Sequence, residues 1–212
     1  MSGVPGRQIA KGGMPQRVNF PVELQGSITT AYGGNKETRC DSLSWDDLKA
    51  LRDIWPGKLL VKGLLHPDDA SKSVELGADG VIVSNHGGRN CDAAPSPIEV
   101  LPEIVAAVGD RTTVLFDSGV RRGSDVVKAL ALGAKFVLIG RSTLYGTAAA
   151  GYAGAKRALD IYRGEISRGL ANISCNTVAE VGPQHIAYAP GYAAQGPGFG
   201  GGRRSVAELT LP

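Results

Sequence analysis

The chain has 212 residues, 42% of them hydrophobic and 20% charged, which suits one sizeable core. Its formal charge of +3 comes with basic residues spread along the chain rather than clustered on one stretch, so no nucleic-acid partner is expected. Cys40, Cys91 and Cys175 are far apart and lack CxxC spacing, which argues against a disulfide framework or a zinc site; no metal is expected, and with neither a membrane-length apolar run nor a secretory signal the expected location is cytoplasmic.

Residues 1–44 read as an irregular, glycine-punctuated lead-in. Order begins at Ser44, a candidate N-cap for a helix over 45–55 in which Trp45, Leu48, Leu51, Ile54 and Trp55 share helical spacing. The chain then alternates. KLLVKG (58–63) suits a buried strand, and PDDASKSVELG (67–77) a helix ended by Gly77. GVIVSN (80–85) is the next strand, and 96–109 the next helix, with an irregularity expected at Pro102. TTVLFDSG (112–119) is a third strand, and 123–133 a helix closed by Gly133. KFVLIGR (135–141) is a fourth strand, and a long helix is expected from 142 to 173. Residues 176–212 read as a mobile Gly/Pro-rich tail, in which GFGGGRR follows no strand and is not taken as a phosphate loop.

Apolar strands alternating with amphipathic helices predict a parallel α/β sheet. ELGADGVIVSN (75–85) and ALGAKFVLIGR (131–141) repeat a Leu-Gly-Ala turn feeding a strand, 56 residues apart. Such repetition points to a (β/α)₈ TIM-barrel type of fold rather than one dinucleotide-binding unit. Only about four βα units are present, whereas a whole barrel takes ~250 residues. The expectation for 45–175 is therefore half of a barrel.

In such a barrel the C-terminal strand ends face the active site. Here those ends carry Lys62, then Ser84-Asn85-His86, then Asp117-Ser118-Gly119, then Gly140-Arg141. DSGVRRG (117–123) combines glycines, Arg121 and Arg122 with a helix start, the composition of an anion site, and Gly140-Arg141 offers a second Gly-Arg pair. Lys62 could face an anionic cofactor atom or pair with an aspartate on a neighbouring strand. His86, in SNHGGRNCD, could serve as a base, and Arg89 could clamp a carboxylate with two parallel hydrogen bonds. Asp92 could orient a neighbour or cap the next turn. His66 and His185 lack such surroundings and read as surface residues.

VKGLL, GADGVIVSNHGGRNCD, FDSGVRRGSDVVKALALGAKFVLIGR and TLYG together resemble the FMN-dependent 2-hydroxy acid dehydrogenases and oxidases. SWDDLKALRDIWPGKLLVKGLL and GMPQRVNF are most similar to the mandelate-oxidising branch of that family. The resemblance runs over about 8–175 and implies the C-terminal half of an FMN-binding barrel. It implies that Lys62 lies at the flavin N1/O2 edge and that Ser84 touches the flavin. Asp117, Ser118, Gly119, Val120, Arg121, Gly140 and Arg141 would hold the ribityl chain and phosphate. His86 would take a proton from the substrate, and Arg89 would bind its carboxylate. The implied reaction converts a small (S)-2-hydroxy acid to the 2-oxo acid, with a quinone or oxygen as electron acceptor.

Asn90-Cys91 stands where the family usually has Gln-Leu, and Ser118-Gly119 where two glycines are common. The family's N-terminal half-barrel, with two active-site tyrosines and an aspartate that pairs with the histidine, has no counterpart here. A homo-oligomer or a pairing with a missing half-barrel is therefore expected. Residues 18–45 occupy the place of a variable segment that reaches the membrane in mandelate-type relatives, so a weak peripheral membrane contact is also expected. Two other readings compete: a non-catalytic FMN- or phosphate-binding half-barrel subunit, and an oxidase of short aliphatic acids such as glycolate or lactate.

Overall fold

The computed structural model describes residues 43–187. The lead-in up to 42 and the tail from 188, GFGGGRR included, lie outside the described residues. Within them run α1 (Trp45–Ile54), β1 (Leu60–Leu64), α2 (Pro67–Glu75), β2 (Gly80–Val83), a 3₁₀ turn (His86–Gly88), α3 (Pro97–Val108), β3 (Thr113–Phe116), α4 (Gly123–Ala131), β4 (Phe136–Val137) and α5 (Arg141–Asn172). Two further 3₁₀ turns, Val178–Glu180 and Pro183–His185, follow α5.

The strands form one sheet in the order β1-β2-β3-β4, every pair parallel. Lys62, Ile82, Leu115 and Phe136 lie side by side across it. Each of the first three strands is followed by a helix that returns the chain to the start of the next strand, the arrangement of consecutive (β/α)₈ barrel units. Side chains alternate between the two faces. Val81, Val83, Val114 and Phe116 point to the helices and join Ala70, Leu101, Ile104, Val108 and Ala129 in one core. Leu60, Lys62, Ile82, Leu115, Phe136 and Leu138 belong to the opposite face, where a complete barrel keeps its interior. On that face Phe136 is 63% exposed and Leu60 45%, and among the described residues no strand pairs with the outer edge of β1 or β4. The ladder of β4 is two residues long, shorter than the strand expected over 135–141.

Local chemistry explains the boundaries. The carboxylate of Asp47 accepts from the Ser44 N–H at 2.6 Å and so closes the first turn of α1. The repeated Leu-Gly-Ala turns are both Schellman caps. Gly77 N–H donates to Val74 O and Ala78 N–H to Ser73 O; Gly133 and Ala134 repeat the pattern on Leu130 and Ala129. Gly77 and Gly133 stand at φ +90 and +103, the left-handed region such a cap requires. α3 runs unbroken through Pro102, because Leu101, Ile104 and Val108 are all fully buried and hold it against the sheet. The stretch read as one long helix is instead α5 with a break at Ala150 and Gly151, the latter at φ +56 and ψ −136. Gly146 and Gly154 meet backbone to backbone across that break. No helix of the described residues is long and apolar enough to cross a membrane.

At the end of the sheet away from the strand tips, Asp79 accepts from Lys58 Nζ at 2.7 Å, the Leu59 N–H at 2.9 Å and Arg52 at 3.0 Å. The Lys58 hydrogen bond foremost, then the Leu59 N–H and the two cations, bring its pKa down to about 2. A carboxylate whose folded pKa is depressed stabilises the fold above its unfolded pKa. Stability is accordingly expected to fall as pH drops from about 4 towards 2, and Asp79→Asn to flatten that part of a stability-against-pH curve. Ile104→Ala, which hollows the core under α3, is expected to lower unfolding free energy by about 2–5 kcal/mol in urea titrations.

Candidate active site

Parallel strands put all four C-terminal ends on one rim, and a cavity of about 330 Å³ opens there. Its lining includes Lys62, His86, Arg89, Asp117, Ser118, Gly119, Val120, Arg121, Gly140 and Arg141. Ten residues singled out from the sequence thus meet around one space, though they span 80 positions of chain.

Lys62 and Asp117, on strands two apart, form an ion pair at 2.9 Å across the end of β2. The gap between them is filled by Ser84, which is fully buried. Its hydroxyl accepts from Lys62 Nζ at 3.0 Å and from the His86 N–H at 3.0 Å. Ser84 is therefore absent from the cavity lining and acts on the site through Lys62 and His86. Asp117 also accepts from the Ser118 hydroxyl at 2.7 Å. Burial pushes the Asp117 carboxyl up, but hydrogen bonds from Ser84, Lys62 and Ser118, with the charge of Lys62, hold it below its ordinary value.

His86 opens a tight loop in left-handed backbone: φ is 57 at His86, 71 at Gly87 and 76 at Gly88. The side-chain carbonyl of Asn85 accepts from both Gly87 and Gly88, at 3.0 and 3.2 Å. The imidazole lies over Gly63, where a methyl group would stand 2.8 Å from its Cε1. This duty of Gly63 escapes sequence reading of the motif, although a glycine inside a strand signals close approach of another group. Arg89 is exposed at the cavity edge and forms no hydrogen bond among the described residues.

The half of the rim expected to bind an anion departs in detail from that expectation. The N–H groups of Arg121 and Arg122 are taken by Asp125 at 2.9 Å each, and that of Gly123 by Glu165 at 2.6 Å. Gly123 serves packing, since a methyl there would lie 2.6 Å from the Ile166 nitrogen. The first donors of α4 are thus satisfied internally. What faces the cavity instead is Gly119, Arg121 and the start of α5 at Gly140-Arg141, whose cap has no side-chain bond. A methyl on Gly119 or Gly140 would meet nothing within 4 Å, so both glycines border open space. Two arginines, two bare backbone positions and an uncapped helix start fit a phosphate group. Tyr162, buried on α5 and missed from sequence, braces this side by donating to Val120 O at 3.1 Å and bonding Ser142 at 2.7 Å. Arg141 additionally donates to Gly87 O at 2.9 Å and so links the anion side to the histidine loop.

Of the remaining candidates, Asp92 is exposed and its Oδ1 lies beside Gly88. His66 is exposed and caps α2 by accepting from the Asp68 N–H at 3.2 Å. His185 is half-buried, with its Nε2 3.5 Å from the buried Cys175 thiol. Neither histidine lines the cavity.

The chain is similar to known proteins over most of its length. The chain is 49% identical over 174 residues to the (S)-mandelate dehydrogenase of Pseudomonas putida, covering 82% of this chain and 44% of that protein. It is 51% identical over 177 residues to a peroxisomal (S)-2-hydroxyacid oxidase of Arabidopsis thaliana, covering 81% and 49%. A crystal structure of a monotopic membrane protein, (S)-mandelate dehydrogenase, superposes with a TM-score of 0.81 at 46% identity, over 87% of this chain and 49% of that one. The chain thus spans about half the length of these relatives. The sequence model of the FMN-dependent dehydrogenases matches residues 8–188, and the chain belongs to that family.

Proposed function

We propose that this chain holds FMN at the rim of its sheet and takes part in oxidising an (S)-2-hydroxy acid of mandelate type to the 2-oxo acid. The observation that carries the reading is the single cavity shared by His86, Arg89, Lys62 and the Gly119/Arg121 and Gly140/Arg141 pairs. Base, carboxylate clamp and anion cradle are the three things this oxidation needs from a protein, and they lie within reach of one small ligand pair.

When bound, FMN takes up the two electrons that leave the substrate. Gly119, Arg121, Gly140 and Arg141 would hold its phosphate, and Asp117 to Val120 would hold its ribityl chain. Lys62, paired with Asp117 at 2.9 Å, would present its positive charge to the bound FMN. Arg89 receives the substrate carboxylate through paired N–H groups. That fixes the hydroxyl-bearing carbon near His86, whose imidazole takes one of the two protons released. The electron acceptor is a quinone or oxygen. Peripheral contact with a membrane is supported by the monotopic mandelate relative. Closure of the exposed inner face around Leu60 and Phe136, by a second copy or a complementary half-barrel, belongs to the same reading.

Titration of the protein with FMN, followed by (S)-mandelate without oxygen, tests the proposal: binding and then loss of the oxidised-flavin absorbance are expected. His86→Ala should slow that bleaching by about 10²–10⁴-fold while leaving FMN affinity intact. Arg141→Ala should weaken FMN binding by about 10–100-fold, the worth of a charge-assisted hydrogen bond. Bleaching at the parent rate in His86→Ala, or unchanged FMN affinity in Arg141→Ala, would remove the corresponding assignment.

A further inference from the structure

Ser118 stands at φ +80, a conformation in which a side chain is strained and glycine is not. The next residue, Gly119, is at φ +78, so the turn after β3 needs two consecutive left-handed residues and only one of them is glycine. The strain has a counterpart in hydrogen bonding. The Ser118 hydroxyl donates to Asp117 Oδ1 at 2.7 Å, accepts from the Gly87 N–H at 2.9 Å and lies 3.4 Å from the Ser84 hydroxyl. Its position is set by Asp117, which is paired with Lys62 at 2.9 Å.

Gly87 is the residue directly after His86, and it is held on both sides. Its N–H is shared between Asn85 Oδ1 at 3.0 Å and Ser118 Oγ at 2.9 Å, and its carbonyl accepts from Arg141 at 2.9 Å. Of these three bonds, the Asn85 contact is internal to the loop and cannot place it relative to the sheet. Ser118 comes from the end of β3 and Arg141 from the start of α5, so these two bonds position the loop in the site. Little else holds the loop: the His86 N–H donates to the Ser84 hydroxyl only two residues back, the exposed imidazole lies over Gly63, and Gly87 and Gly88 carry no side chains.

We propose that Ser118 is a positioning residue for His86. Its hydroxyl ties the left-handed His86-Gly87-Gly88 turn to the Asp117–Lys62 pair, and a glycine at 118 would suit the backbone better but leave the turn loose. That His86 is the base rests on the reading above; the tie itself does not, because it is made by the protein alone. A site that depends on an imidazole held within a fraction of an ångström is sensitive to such a tie.

The test uses the full chain labelled with ¹⁵N, without added cofactor, as parent, Ser118→Ala and Ser118→Gly. Ala removes the hydroxyl and keeps the backbone strain, whereas Gly removes both. The Gly87 amide is expected to exchange with solvent about fivefold faster in both variants, the loss of one of its two acceptors. The amide of Val83, in the ladder of β2, should exchange as before. The ring resonances of His86, identified by their loss in His86→Gln, should shift in both variants while those of His66 and His185 stay in place. Ser118→Gly should melt at or above the temperature of Ser118→Ala. Gly87 exchange and His86 resonances unchanged in both variants would overturn the inference, whatever happens to melting temperature. Activity is not needed for this outcome, so the inference can fail while the proposed oxidation stands, and the reverse.

Discussion

The ion pair between Lys62 and Asp117 is the contact on which the organisation of the rim depends. Its partners sit on strands that are not neighbours, so it can form only where β2 ends early enough to leave room, and Ser84 fills that room. Three hydrogen-bond donors surround Asp117, one of them the cation Lys62, enough to overcome the burial that would otherwise favour its neutral form. With the carboxylate charged, the Ser118 hydroxyl has a fixed acceptor and its own lone pair is turned toward Gly87. One electrostatic choice in β1 and β3 is thus passed through two serines to the backbone of the histidine loop.

The rim divides its labour between charge that is neutralised and charge that is left open. Asp125 and Glu165 take the amides at the start of α4, and Asp117 takes Lys62. Arg121 and Arg89 form no ion pair among the described residues and face the cavity. Satisfied groups make the frame rigid, while unsatisfied cations favour an anionic ligand, since an arginine without a partner gains most from a phosphate or carboxylate. Arg141 belongs to both sets, because it lines the cavity and also holds Gly87 O.

The sheet presents two unequal faces. One is sealed by α2, α3 and α4 over a core that includes the fully buried Val81, Val83, Leu101, Ile104 and Val108. The other keeps Leu60, Phe136 and Leu138 in contact with solvent. In a closed barrel those positions fill the interior in layers drawn from alternate strands, so four strands supply half of each layer. The relatives are about twice as long as the part of them that this chain matches. The rim chemistry of this chain is built entirely from the half that it contains.

The order of strands and helices was legible because each depends on local pattern. Continuous apolar runs such as GVIV mark strands buried on both faces, and Gly77 and Gly133 mark helix ends where only a left-handed residue completes the cap. The candidate site was legible for a related reason: a barrel brings every strand end to one rim, so a polar residue directly after an apolar run is already placed. Tertiary contact decided the rest. It closed the Gly123 donor of α4 with a carboxylate from α5, 42 residues away, and left Gly140 and Arg141 lining the cavity. It withdrew Ser84 from the cavity, made Gly63 the floor under His86, and broke the long helix at Gly151. None of these could be read from spacing, because each depends on which atoms of distant segments arrive within 3 Å or so of one another, and hydrogen bonds and steric exclusion act only at that range.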